Sequence, residues 1–178
     1  MKRITLVYGS PRKDGNSDKL GGAFARGAKA SGNDVVEFFI RDMQINGCIG
    51  CEICYENMGE CVQNDDMQKV LRRLYQSDIL VFVTPIYYQG FTSQLKAVVD
   101  RLYVSENKPF SINGAYLLAT YASSGEEMST LTRDYFRALI NYHQWNNLGE
   151  IFVSEMDERT DIIDNSSLEH AYSLGKNV

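Results

Sequence analysis

Short apolar runs alternate with amphipathic stretches along the whole chain. The apolar runs predict five β-strands, which cover residues 4–8, 34–40, 79–83, 115–120 and 150–154. The first, third and fourth runs are continuous and bounded by turn residues, which is typical of strands buried on both faces of a sheet. The second and fifth runs include charged residues, so we expect those strands nearer the edges of the sheet.

Apolar residues also recur at helical spacing between these runs. The stretches concerned are 16–31, 66–77, 93–103, 130–142 and 167–174. Strands that alternate with helices predict an α/β fold, with a parallel sheet covered on both faces and right-handed crossover connections. Residues 41–64 form a long connection without a clear period, and a loop of that length in a compact domain is usually functional.

Length and composition narrow the classes of function. The chain has 178 residues, so we expect one domain spanning 1–178. Its net charge of −5 argues against nucleic acid or an anionic membrane as a main partner. The apolar run at the start is too short for a signal peptide, and no other run approaches a membrane span, so we expect a cytoplasmic protein. In a reducing compartment, structural disulfides are disfavoured.

The loop at residues 9–17, GSPRKDGNS, follows the first predicted strand and opens the first predicted helix. Ligands of an open α/β sheet bind beyond the carboxyl ends of its strands, and an anion is favoured at a helix N-terminus. Ser10, Asn16 and Ser17 add polar donors that can reach phosphate oxygens, and the guanidinium of Arg12 adds charge. The loop has neither Walker spacing nor GxGxxG, which favours a monophosphate over a dinucleotide. The alternative is a turn that only caps the helix.

A second loop, TPIYYQGFTSQLK at residues 84–96, follows the third predicted strand. It presents Tyr87, Tyr88 and Phe91 at the same edge of the sheet as the first loop. Aromatic faces beside a glycine, here Gly90, suit a flat apolar ligand that approaches the backbone closely. The alternative places these rings in the core or at a subunit interface.

All four cysteines of the chain, Cys48, Cys51, Cys54 and Cys61, lie in the long connection with the spacing C-x2-C-x2-C-x6-C. Three thiolates at this spacing can bind three corners of a [4Fe–4S] cluster, and a more distant fourth completes the ligand set. Zinc sites usually pair two C-x2-C knuckles across a longer gap, and a thioredoxin-like pair would leave two cysteines unused. A cysteine loop without metal is the remaining alternative. Because the connection leaves the sheet at its carboxyl edge, we expect the cysteines to gather there.

Taken in order, GSPRKDGNS, CIGCEIC with GECVQNDDM, and TPIYYQGFTSQLKAVVDR resemble the NADPH-dependent FMN reductase family of flavodoxin-like proteins. The end of the chain, DIIDNSSLEHAYSLGK, is similar to the closing helix of that family. The resemblance implies a flavodoxin-like, doubly wound five-stranded sheet of order 2-1-3-4-5 that binds FMN; flavodoxin with FMN is itself a standard example of binding where the strand order reverses.

The resemblance also implies roles for individual residues. The phosphate of FMN would be held by Ser10, Arg12, Asn16 and Ser17. The flavin ring would be lined by Pro85, Ile86, Tyr87, Tyr88 and Gly90. A third loop at residues 121–125, which includes Ser123, would approach the ring from its other side. No catalytic acid or base is implied.

The cysteine spacing resembles the compact motif of the iron–sulfur flavoproteins, a branch of the same family in which a cluster passes electrons to FMN. This resemblance implies an FMN-dependent oxidoreductase that passes electrons from NAD(P)H through flavin to a small-molecule or protein acceptor, with a [4Fe–4S] cluster as a further centre. The alternative is an electron carrier that exchanges electrons with ferredoxin rather than with nicotinamide. A third possibility is a flavodoxin-like scaffold without flavin. The family resemblance implies a homodimer or homotetramer.

The remaining aromatic and imidazole side chains carry less information. His143 and His170 fall on predicted helix surfaces away from the strand ends, and we expect both to be solvated. Trp145 and the helix face that carries Tyr135, Leu139 and Tyr142 are expected in the core or at an interface.

Overall fold

The computed structural model describes residues 1–178, and its centre is a five-stranded parallel sheet in the order β2-β1-β3-β4-β5. The strands are β1 (Arg3–Tyr8), β2 (Asp34–Phe39), β3 (Ile79–Pro85), β4 (Gly114–Thr120) and β5 (Asn146–Val153). The middle strands β1, β3 and β4 consist almost entirely of buried residues, whereas every residue of the edge strand β2 is half-buried. The flavodoxin-like doubly wound order predicted from the sequence is confirmed.

Helices cover both faces of this sheet. They are α1 (Asn16–Ala30), α2 (Ile53–Glu56), α3 (Met67–Leu74), α4 (Ser93–Asp100), α5 (Glu127–Tyr142) and α6 (Ser167–Lys176). One core, which includes Phe24 and Ala171, lies between the sheet and the pair α1 and α6. The other core, which includes Leu74, Leu95 and Phe136, lies between the sheet and the helices α3, α4 and α5. Each of these five helices therefore buries the apolar stripe that its sequence predicts.

Helices α1 and α6 pack with their backbones almost in contact. A Cβ atom on Gly27 would come within 2.0 Å of the carbonyl oxygen of Tyr172, and one on Gly175 within 2.1 Å of that of Phe24. Any larger residue at either position would push the helices apart. This contact fixes the helix that opens with the loop at residues 9–17.

The sequence-based boundaries differ from the structure at a few points. Pro85 is the last residue of β3, paired with Thr120 of β4, although the strand predicted from the sequence ends at residue 83. A terminal proline costs only one ladder hydrogen bond, which explains its place there. The helix predicted over 93–103 ends at Asp100, and Arg101–Glu106 continue as a 3₁₀-helix. Strand β5 begins at Asn146, earlier than its apolar run suggests.

None of the helices combines the length and the apolar character that crossing a lipid bilayer requires.

Candidate functional site

A cleft of about 250 Å³ lies at the carboxyl edge of the sheet. The residues that line it come from the start of α1, the last residues of β3 and β4, and the connections that follow β1, β3, β4 and β5. They are Ser10, Arg12, Gly15, Asn16, Ser17, Pro85, Ile86, Tyr87, Thr120, Tyr121, Ala122, Met156, Asp157 and Arg159. Seven of these fourteen residues had been assigned roles from the sequence, namely Ser10, Arg12, Asn16, Ser17, Pro85, Ile86 and Tyr87. The other seven had not.

The first wall of the cleft is the start of α1. The residue before the helix, Gly15, has no side chain that could cap it. The backbone amides of Asn16, Ser17 and Asp18 have no acceptor within the chain. Amides left free at a helix N-terminus, together with the helix dipole, attract an anionic group. This end of the cleft fits a phosphate.

The side chains of the same loop are mostly engaged within the protein. Asn16 Nδ2 donates to the carbonyl oxygen of Glu158 at 2.6 Å, which ties the loop after β5 to α1. Ser17 Oγ and Thr120 Oγ1 are 2.8 Å apart, and Ser10 Oγ accepts from the amide of Arg12 at 3.2 Å. The Arg12 side chain is exposed and makes no hydrogen bond or ion pair. Arg12 and the helix amides are therefore the groups free to meet a phosphate.

Arg41 supports the phosphate loop from behind. Its Nη1 donates to Asp18 Oδ1 at 3.0 Å, and its Nη2 forms an ion pair with Asp18 Oδ2, also at 3.0 Å; Asp18 lies in the first turn of α1, and both side chains are nearly buried. It also reaches the carbonyl oxygens of Ser10 and Arg12, each at 3.5 Å. Burial raises the pKa of Asp18, and Arg41 offsets part of that rise. The arginine thus neutralises a carboxylate that would otherwise repel a phosphate. Sequence reasoning missed this pair, because its members lie 23 residues apart and share no motif.

The aromatic loop contributes to the cleft unequally. Pro85, Ile86 and Tyr87 line it, whereas Tyr88 is fully exposed and Gly90 lies outside the lining. Tyr87 and Gly90 exchange two backbone hydrogen bonds of 3.0 Å, which makes a tight turn with positive φ at Tyr88 and at Gln89. A turn of this kind normally favours glycine or asparagine at those positions, so the loop is held in a strained form.

The third loop supplies Tyr121 and Ala122 to the cleft, but not Ser123. Ser123 is exposed, and its hydroxyl accepts from the amide of Gly125 at 3.3 Å. The roles predicted for Tyr88, Gly90 and Ser123 stay predictions that this cleft does not support directly. The fourth wall, which sequence reasoning missed, is formed by Met156, Asp157 and Arg159. They follow β5, so the rule that ligands bind beyond strand ends would have found them if applied to the last strand.

The four cysteines line a second cavity, of about 490 Å³. Cys48 and Cys51 are exposed, Cys54 and Cys61 are half-buried, and all four are free thiols. Apolar side chains around the opening are also exposed, among them Ile49 at 67% and Val62 at 46%. Burial, and then the neighbouring thiols, raise the pKa of Cys54. The donor set is that of a thiolate-bound metal centre, and all four thiols line this one cavity.

The cysteine cavity does not have the geometry of a finished metal site. No group of three or more histidine, cysteine, aspartate or glutamate side chains is close enough to hold a metal ion. The cavity is bordered by Asp100 and Tyr103, at and beyond the end of α4, and shares no residue with the cleft. The expectation that the cysteines gather at the carboxyl edge of the sheet stays a prediction.

The environment of His143 differs from the prediction. The imidazole is half-buried and stacks on the ring of Trp145, with ring centres 4.4 Å apart and an angle of 14° between planes. Its Nδ1 lies 3.4 Å from the hydroxyl of Ser105, and burial lowers its pKa. The prediction of a solvated residue was wrong because the helix ends at Tyr142 and the chain turns the ring onto the core. His170 is exposed and Trp145 is buried, as expected.

Comparison with known proteins agrees with this architecture. The model of the NADPH-dependent FMN reductase family matches residues 2–158. An iron–sulfur flavoprotein of Archaeoglobus fulgidus is 36% identical over 128 residues, which are 71% of this chain and 57% of that protein. An iron–sulfur flavoprotein of Methanosarcina thermophila is 28% identical over 154 residues, which are 85% of this chain and 76% of that protein. The match to the first therefore spans little more than half of its length.

A solved structure shares the fold. The NAD(P)H:quinone oxidoreductase of Methanothermobacter marburgensis superposes with a TM-score of 0.78 over 99% of this chain and 98% of that one, at 16% identity. At this identity the likeness concerns the fold alone.

Proposed function

Because the chain belongs to the NADPH-dependent FMN reductase family, we propose that it is an FMN-dependent oxidoreductase that passes electrons from NAD(P)H through flavin to a second acceptor. One observation carries the proposal. The free amides at the start of α1 open into the same cleft as Pro85, Ile86 and Tyr87, so a phosphate site and an apolar wall with one aromatic ring face one ligand. A flavin mononucleotide has this combination of an anionic end and a flat ring.

The residues of the cleft have separate tasks in this proposal. The amides of Asn16 and Ser17 and the guanidinium of Arg12 bind the phosphate. Asn16 holds the loop after β5 closed over the cleft through Glu158. Tyr87 and Tyr121 flank the ring from the loops after β3 and β4. When bound, FMN supplies hydride and single-electron chemistry, and a [4Fe–4S] cluster supplies single-electron chemistry.

We also propose that Cys48, Cys51, Cys54 and Cys61 hold a [4Fe–4S] cluster. The shared cavity and the all-thiol donor set support this, and so does the similarity to iron–sulfur flavoproteins of Archaeoglobus fulgidus and Methanosarcina thermophila. Since no three of the side chains already meet around a point, the segment would have to close by a small movement when the cluster is assembled.

The exposed cysteine cavity favours a second candidate, in which the protein is an electron carrier and exchanges electrons with ferredoxin rather than with nicotinamide. The exposed apolar rim, with Ile49 and Val62, is a surface that a partner protein could cover. The fully exposed Tyr88 is a further apolar surface, near the cleft, and supports a homodimer or homotetramer with FMN near a subunit boundary. A strictly monomeric species in light scattering at micromolar concentration would contradict the oligomer.

The test begins with anaerobically purified protein. Its absorption spectrum and an iron assay should give about one FMN and about four irons per chain. Stopped-flow mixing with NADPH, and separately with reduced ferredoxin, then distinguishes the two candidates, since only the productive donor should bleach the flavin absorption within the turnover time. A colourless protein that takes up no FMN would contradict both. Rapid bleaching by ferredoxin alone would replace the reductase with the carrier.

A further inference from the structure

Arg101 is a fully buried arginine beneath the cysteine segment, residues 41–64. It begins the 3₁₀-helix after α4, and its side chain is only 1% exposed. An arginine is rarely buried to this degree unless it is paired, because removing the charge from water is costly. Its contacts therefore indicate its role.

The guanidinium of Arg101 joins the two ends of the cysteine run. Nη1 donates to Asp65 Oδ2 at 2.5 Å and to the carbonyl oxygen of Asn46 at 3.3 Å. Nη2 donates to the carbonyl oxygen of Gln63 at 3.5 Å and to Cys61 Sγ at 3.3 Å. One planar group thus contacts the backbone before the first cysteine, the backbone after the last, and the sulfur of the last.

Asp65 completes this connection. Its carboxylate accepts from the amide of Asn46 at 2.9 Å and from the amide of Met67, at the start of α3, at 3.1 Å. Burial alone would raise the pKa of Asp65, but the hydrogen bonds from Arg101 and Asn46 outweigh it and hold the pKa below its usual range. The carboxylate of Asp65 therefore stays ionised at neutral pH.

Stability alone does not account for such a pair. Well-packed apolar residues can replace a buried ion pair at little cost, and here Arg101 Nε is left without a hydrogen-bond partner. The fork geometry of arginine, which reaches Asp65 and Cys61 together, is what lysine or an apolar residue could not reproduce. The arrangement therefore points to the placement of the cysteine segment.

We propose that Arg101, held by Asp65, is the positioning residue of the cysteine segment: it closes residues 46–63 into a loop that lines one cavity with all four cysteines, and its hydrogen bond to Cys61 Sγ raises the reduction potential of a cluster bound there. The second part rests on the proposed cluster. Hydrogen bonds and positive charge at the ligand sulfurs favour the reduced state, and groups behind the ligands fix their orientation.

Hydrogen exchange of the iron-free, FMN-loaded full chain tests the placement. In Arg101→Lys, which keeps a charge for Asp65 but not the fork, amides of residues 46–63 should exchange about tenfold faster than in wild type. Arg101→Gln should show at least as large a change. Lys69→Gln is the matched control, because it removes a cation from the exposed pair with Asp66 beside the same segment and should leave exchange unchanged. Unchanged exchange in Arg101→Lys that still binds FMN would overturn the positioning role.

The reduction potential tests the contact with Cys61. In reconstituted Arg101→Lys and Arg101→Gln that retain about four irons, the potential should be more negative than in wild type, and in Lys69→Gln it should not move. A merely structural role would lower iron retention without changing the potential of the clusters that remain, and that result would overturn the second part. If wild-type protein takes up no iron, the cluster proposal fails, while exchange in the iron-free protein still decides the positioning role.

Discussion

The cleft and the cysteine segment are built in opposite ways. The cleft is formed by short connections that leave the ends of buried parallel strands, so the sheet itself sets the positions of its walls. The cysteine segment is a long irregular connection with one short helix, α2, and its cysteines are exposed or half-buried. Its links to the rest of the protein are made by individual side chains, among them Arg101, Asp65 and Gln68.

This difference shows what fixes the positions of the binding groups in each of the two sites. A ligand in the cleft meets groups already fixed by the ladder of the sheet and by the packing of α1 on α6. A metal bound by the cysteines would meet groups that have still to converge, and binding energy would be used to order the loop. We therefore expect changes in the cysteine segment to affect metal content and little else, and changes in the core to affect both sites.

The largest effect is expected at Cys51. In Cys51→Ser the iron content after anaerobic reconstitution should fall from about four per chain to below about one, because a serine hydroxyl binds cluster iron far less well than the thiolate it replaces. FMN content should remain as in wild type, since the two cavities share no residue. Ile49→Ala is the control, as Ile49 lines the same cavity without a ligand atom. Loss of FMN together with iron would show that the two sites are not independent.

The next largest effect is on the free energy of unfolding, which substitutions in the core and in the cysteine segment should change by different amounts. Phe82 is fully buried in β3, with its ring centre 5.9 Å from that of Phe91 and 6.0 Å from that of Phe136. Phe82→Ala should lower the free energy of unfolding by about 3–5 kcal/mol. Met58→Ala, in the cysteine segment where Met58 is 72% exposed, should change it by less than about 0.5 kcal/mol. Urea denaturation followed by circular dichroism measures both, and equal losses would contradict the contrast.

The same contrast explains which parts of the structure could be predicted from the sequence. Continuous apolar runs such as that of β3 are buried on both faces, so their pattern alone predicts the strand, and the order of the strands follows from the family resemblance. The walls of the cleft near Ser10 and Pro85 were predictable because loops at strand ends share one edge. The wall with Arg159 was missed only because the loop after the last strand was not considered.

The cysteine segment shows what sequence pattern does not contain. The spacing predicts that four thiols share a site, but the path of the segment depends on the contact of Arg101 with Asp65, residues 36 positions apart. In the sequence Arg101 looks like one more polar position on a helix. Its burial is a property of the packed structure, and the pattern of the sequence alone does not contain it. His143 was mispredicted for the same kind of reason.

A smaller effect concerns charge at the phosphate end of the cleft. Arg12→Glu replaces an attraction to the phosphate with a repulsion near the protein surface, so FMN affinity should fall by about thirtyfold, or about 2 kcal/mol. Lys13→Glu makes the same change of charge at the next residue, which is exposed and does not line the cleft, and should alter affinity by less than about threefold. Fluorescence titration of the apoprotein with FMN measures both constants. An equal loss of FMN affinity in the two variants would indicate that the overall charge of the surface weakens binding, and it would contradict the assignment of Arg12 to the phosphate site.

The smallest effect lies at His143, away from both cavities. Burial lowers the pKa of this imidazole, and the charge of Glu106 offsets part of that shift. A group whose pKa is lower in the folded state binds protons more readily when unfolded, so its contribution to stability is complete above the unfolded pKa, about 6.5, and declines as the pH falls below it. Urea midpoints of wild-type protein should therefore decrease between about pH 8 and pH 5.5, and the decrease should be smaller in His143→Asn. If the urea midpoints of the two proteins depend on pH in the same way, burial against Trp145 does not resist protonation of the imidazole. FMN content should be the same in both proteins, because the ring of His143 lines neither the cleft nor the cysteine cavity.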